Sequence, residues 1–100
     1  MYHVYVTVSG EGRIARFSMD PETGVLRFKG NTFASGRPAP LAMTPDRRFA
    51  YVARRDDLKL TSYSLDPVSG MLSEINTVPL EYDPCYLGTD RTGKWLFSAC

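Results

Sequence analysis

Few residues in this 100-residue chain could carry chemistry. The adjacent Arg54 and Arg55 offer two guanidinium forks, the shape that grips phosphate or carboxylate through paired N–H···O bonds. Arg37 stands just before Pro38, and Asp83 and Tyr86 bracket the matching Pro84. His3 is the only histidine. With no second imidazole and no clustered carboxylates, no transition-metal site is expected, and no cofactor is implied. Gly10-Glu11-Gly12 is a fragment of a Gly-rich pattern, but it lies between strand-like segments and not ahead of a helix, so it is not read as a phosphate cradle. Ser9, Ser35 and Ser69 lack the surroundings of a nucleophile elbow and have no base at hand.

Composition narrows the partners. Lys and Arg number 12, Asp and Glu 11, for a formal net charge of +1. That balance argues against nucleic acid and against an anionic membrane surface. Hydrophobic residues make up 43% and charged residues 23%, as in a folded globular chain. No apolar run approaches the ~20 residues of a membrane span, and MYHVYVTVSG lacks the basic and apolar regions of a secretory signal. Cys85 and Cys100 form no C-x-x-C pair and are expected to be free buried thiols. A cytoplasmic protein is expected.

The elements that position these residues follow from an internal repeat. His3, Phe49 and Trp95 correspond at one offset (49 − 3 and 95 − 49 are both 46). So do Tyr5, Tyr51 and Phe97, and Asp20-Pro21 with Asp66-Pro67. Gly24 matches Gly70, Pro38 matches Pro84, and Leu41 matches Leu87. A period of about 40–50 residues built of strands marks a propeller blade. One unit reads as four strands: PLAMT, RFAYVAR, LKLTSYSLD and MLSEINTVPL. The second is nearly continuous in apolar residues, as is HVYVTV in the first copy, which predicts cover on both faces. The third alternates and the fourth is polar, as suits an exposed outer edge. DPETG and DPVSG predict hairpin turns with Gly24 and Gly70 at positive φ. Gly93 matches Arg47, so a left-handed Gly93 predicts a left-handed Arg47.

The expected fold is therefore all-β, with β-propeller blades of four antiparallel strands, about two blades of a larger ring. Residues 1–36 form a partial first blade, 37–82 a complete second and 83–100 the start of a third. Strand counts of three, four and two are expected. The chain reads as the N-terminal part of a longer ring, closed by an inner strand from the far C-terminus.

Three segments, PLAMTPDRRFAYVARR, LTSYSLDPVSGML and LGTDRTGKWLFSA, resemble the propeller-type 6-phosphogluconolactonases of the seven-bladed lactonase family. Fungal carboxymuconate-lactonizing enzymes belong to the same family. Thr44 and Arg47 depart from its usual Ser-Pro-Asp-Gly-Arg. The resemblance implies hydrolysis of 6-phosphoglucono-δ-lactone in the pentose phosphate pathway, with a small sugar lactone as partner. It also implies histidine-bearing channel strands beyond residue 100, so most of the catalytic set is expected outside this segment.

Propeller topology puts the loops at Ser9 to Gly12, Ala34 to Pro40, Arg54 to Asp57 and Glu81 to Pro84 on one rim, where ligands bind at the concave mouth. Arg55, Arg54, Arg37 and Tyr86 are the candidate substrate-binding residues. The family's frequent arginine at the position of Arg55 favours it over Arg54. The competing expectation is that both arginines pair with Asp56 and Asp57 as a solvated loop. Tyr86 lines the channel or packs against a neighbouring blade. His3 heads a strand on the opposite rim, as a stacking residue equivalent to Phe49 and Trp95. A rival function is a two-blade oligomeric sugar-binding propeller, but Trp95 is the sole Trp where such lectins repeat theirs. A protein-binding scaffold would carry WD dipeptides, which are absent.

Overall fold

A computed structural model describes residues 2–99. Its strands, in chain order, are β1 (Tyr2–Val8), β2 (Arg13–Met19), β3 (Leu26–Phe33), β4 (Pro38–Met43), β5 (Phe49–Arg54), β6 (Lys59–Leu65), β7 (Leu72–Pro79), β8 (Tyr86–Thr89) and β9 (Leu96–Ala99). They pair antiparallel as sheets of three, four and two strands: β1-β2-β3, β4-β5-β6-β7 and β8-β9. These sheets are blades 1, 2 and 3 below. The repeat is literal in the backbone. β6 and β7 begin and end 46 positions after β2 and β3. Both pairs carry a bulge at the same place, Arg16/Phe17 and Ser62/Tyr63.

The core lies between blades. Ile14 and Ala34 of blade 1 pack on Ala50, Val52, Tyr63 and Leu72 of blade 2. On the other side of blade 2, Ala42 and Ala53 meet Leu87 of blade 3. β5 therefore buries alternate residues against two neighbours, which explains its continuous apolar run. β1 departs from that expectation. It is the edge of its sheet, and most of its residues are half-buried. In β6 the inward face is carried by Thr61 and Tyr63, and the Thr61 hydroxyl is satisfied by Thr77 at 3.0 Å. The outer strands β3 and β7 are mostly exposed.

Turn chemistry fixes the hairpins. Asp66 Oδ1 accepts the N–H groups of Val68 (2.8 Å) and Ser69 (2.9 Å), and the Gly70 N–H closes on the Asp66 carbonyl at 2.8 Å. Those donors hold the Asp66 carboxyl below its ordinary range. Arg47 has φ 60 beside the matching Gly93 at φ 73. Leu58 repeats the pattern at φ 53, in the place that Gly12 holds at φ 62.

The expectation of buried thiols fails at Cys85, which is exposed. It stands on the crossover just before β8, its backbone N–H donating to the Ala99 carbonyl at 2.7 Å. Cys100 lies outside the described residues.

Candidate functional site

The rim loops hold one another through the backbone. Ser9–Glu11 form a 3₁₀ turn, and the Ser9 hydroxyl donates to the Pro38 carbonyl at 2.9 Å. The Ala34 N–H reaches the Gly12 carbonyl at 2.8 Å. The next turn does the same: Arg55 N–H donates to the Arg37 carbonyl (3.3 Å) and Asp56 N–H to the Gly36 carbonyl (3.0 Å). Arg37 takes φ 57, a costly conformation for a side-chain-bearing residue, and these two bonds help to hold it.

On this frame sits an arginine–aspartate cluster. Arg55 Nε lies 2.9 Å from Asp83 Oδ1 and 3.1 Å from Oδ2, while Nη2 lies 2.9 Å from Oδ2. The pair joins the β5–β6 turn of blade 2 to the crossover into blade 3. Its side chains are 39% and 41% exposed. The fork uses one edge of the guanidinium and leaves the Nη1 edge unengaged by any hydrogen bond among the described residues. Hydrogen bonding to Arg55, then its charge, holds the Asp83 carboxyl below its ordinary range, and Arg37 adds to this. Asp83 in turn raises the Arg55 guanidinium above its ordinary value. Arg37 Nη1 is 3.8 Å from Asp56 Oδ1.

The sequence-predicted residues thus divide. Arg55 and Arg37 share the rim. Arg54 does not join them: its side chain is 16% exposed, and Nη2 donates to Glu74 of the outer strand β7 at 3.2 Å. Tyr86 is 64% exposed. Leu87 and Thr89 point toward blade 2, with Thr89 Oγ1 donating to the Met43 carbonyl at 3.0 Å. Tyr86 therefore occupies the opposite face of β8, its ring lying over Gly88. The solvated-loop alternative, in which Arg54 and Arg55 pair with Asp56 and Asp57, is not what the structure shows; Asp56 is approached by Arg37. Arg54 and Arg55 pair across elements instead.

Sequence reasoning missed Asp83 as the partner of Arg55, although the repeat holds the signal. At the 46-residue offset Asp83 is the counterpart of Arg37, and Arg55 of Ser9. The same junction is built twice, once as hydroxyl to carbonyl and once as a charged fork.

The fold is a β-propeller, and one rim carries the arginine–aspartate cluster. The chain belongs to the lactonase family described as "Lactonase, 7-bladed beta-propeller", whose model matches residues 3–100. It is similar to the 6-phosphogluconolactonase of Cronobacter sakazakii, 33% identical over 95 residues, covering 95% of this chain and 28% of that protein. A candidate 6-phosphogluconolactonase from Bacteroides uniformis superposes with TM-score 0.86 at 24% identity, covering 96% of this chain and 29% of that one, a likeness of fold. The periplasmic gluconolactonase of Pseudomonas aeruginosa gives TM-score 0.71 at 25% identity, covering 91% and 23%. The chain spans under a third of the curated relatives it matches.

Proposed function

We propose that the intact protein is a lactone hydrolase that opens 6-phosphoglucono-δ-lactone to 6-phosphogluconate, in the pentose phosphate pathway and in the cytoplasm. The observation that carries this reading is the 33% identity to a protein of that name along 95% of this chain. The rim supplies a matching physical rationale. The unengaged edge of Arg55, with Arg37 nearby, can hold a phosphate by charge-assisted hydrogen bonds. Asp83 orients that fork. A carboxylate held below its ordinary range by an arginine fork is a poor proton acceptor at neutral pH, so this cluster binds and orients the substrate. Arg54 acts indirectly, by tying the end of β5 to β7. The 100-residue segment alone is expected to be inactive.

A second reading, an unphosphorylated sugar lactone, is favoured by one feature: Asp56 and Asp83 offset much of the charge of Arg37 and Arg55. Initial rates on 6-phosphogluconolactone, read through production of 6-phosphogluconate, and on gluconolactone in a pH-stat decide between them. A kcat/KM for the phosphorylated lactone at least tenfold higher supports the first reading. Equal values select the second, and no hydrolysis of either refutes both.

A further inference from the structure

On the rim opposite Arg55, the face of blade 1 turned toward blade 2 carries cations that the repeat does not. Arg16, Arg27 and Lys29 stand where blade 2 has Ser62, Ser73 and Ile75, and His3, beside them, stands where blade 2 has Phe49. Pairing brings them together. His3 is opposite Ser18, and Ser18 is opposite Arg27. The bulge between Arg16 and Phe17 leaves Lys29 as the extra residue of β3. His3, Arg16, Ser18 and Lys29 line a cavity of about 530 Å³, closed on its far side by the β6–β7 hairpin at residues 67–69.

The interior of this cavity is unsatisfied. Ser18 is 4% exposed, and its hydroxyl has no partner among the described residues. A buried hydroxyl left so is destabilising unless something fills the gap. Arg16 Nη1 donates to the Ser69 carbonyl at 2.8 Å, which fixes its guanidinium at the blade junction. The His3 ring lies against Gly70, where a Cβ would come within 2.6 Å of Nδ1. Among the described residues neither Arg16, Arg27 nor Lys29 makes an ion pair. The neighbouring carboxylate, Asp66, is engaged by the amides of Val68 and Ser69.

We propose that this cavity binds a tetrahedral oxyanion, either inorganic phosphate or the phosphate group of a small ester. Arg16 and Lys29 supply charge from the wall, Arg27 adds charge from the neighbouring β3 position opposite Ser18, and the Ser18 hydroxyl donates from within. Uncompensated cations on two strands around a buried hydroxyl suit a multiply charged, many-acceptor ligand. The site is separate from the Arg55 cluster and does not rest on the lactonase reading.

The test is calorimetric titration of the intact protein with inorganic phosphate, and with glycerol phosphate, at ionic strength held constant by chloride. The double variant Lys29→Ile with Arg27→Ser gives blade 1 the residues that blade 2 already carries at exposed positions, so folding should be retained. It should weaken phosphate binding about tenfold or more, while Arg55→Ala leaves a phosphate site in place. Ser18→Ala, which removes one oxygen, should weaken binding about threefold to tenfold and serves if the double variant does not fold. Tighter binding of the ester than of the free ion identifies an ester as the ligand, and the reverse identifies inorganic phosphate. No heat beyond the chloride control, an unchanged Kd in these variants, or loss of all phosphate binding on Arg55→Ala alone would overturn the proposal.

Discussion

Arg55→Ala in the intact enzyme tests whether the charged fork at the rim serves the substrate or only joins two blades. The structure sets the size of the effect. Arg55 is about two-fifths exposed, and one edge of its guanidinium is committed to Asp83. Water and the Asp83 carboxylate both screen its charge, so the loss falls toward the weak end for charge-assisted bonds. KM for 6-phosphogluconolactone is expected to rise about fivefold to twentyfold, with kcat nearly unchanged because a remote phosphate is held alike in ground and transition states. Gluconolactone supplies the control. With no phosphate to lose, its kcat/KM should stay within about twofold. Asp83→Asn completes the comparison, since it frees the guanidinium from its counter-charge and should not raise KM as Arg55→Ala does. If Arg55→Ala leaves KM for the phosphorylated lactone unchanged, or if both substrates decline together, Arg55 is a clamp between blades and the substrate-binding argument is wrong.

Other predictions concern the scaffold. Ile14→Ala empties a fully buried site between blades 1 and 2 and should cost about 2–5 kcal/mol in urea unfolding of the intact protein. Arg47→Gly relieves a left-handed arginine at the place of Gly93 and should stabilise by up to about 1 kcal/mol, read by the same method. Asp66, Asp83 and Asp90 are held below their ordinary value of 3.8, so the unfolded chain binds their protons more readily. Their stabilising contribution is present above that value and is lost as pH falls through the lower native values. Acid unfolding should begin below about pH 4, and Asp66→Asn should flatten that limb of the pH–stability curve. The 100-residue segment expressed alone should self-associate, because β1 presents a free edge and Trp95 and Phe97 are 66% and 58% exposed. Light scattering coupled to size exclusion checks this, and a monomer with a sharp thermal transition would contradict it.

What the sequence discloses follows from what a repeat can disclose. Matched positions such as Pro38 and Pro84, or Gly24 and Gly70, report the demands of the blade, and strand order, turns and the left-handed Arg47 were all legible from them. Leu58 was legible on the same logic, through Gly12, but its apolar side chain invited a place in the following strand. Unmatched positions are harder. Arg55 and Asp83 sit in loops, where no periodicity constrains direction, and their partnership depends on how one blade is seated against the next. Proximity in sequence therefore offered Asp56 and Asp57 as partners, and packing supplied a different one. Burial of Cys85 failed for a related reason, since cysteine's apolar character says nothing about a crossover whose backbone is paired.

Positions where two copies of one blade differ in charge are free of the blade's own requirements, because the other copy shows that the fold does without them. Two clusters of such positions are Arg37 and Asp83 at one rim, and Arg16, Arg27 and Lys29, beside His3, between blades at the other. In the first, each charge has an opposite partner, Arg37 with Asp56 and Asp83 with Arg55. The second is all of one sign and surrounds a hydroxyl with no partner among the described residues. Paired charges can be explained by the junction they hold together. Unpaired cations gathered along one cavity repel one another, and an anion bound among them would relieve that repulsion.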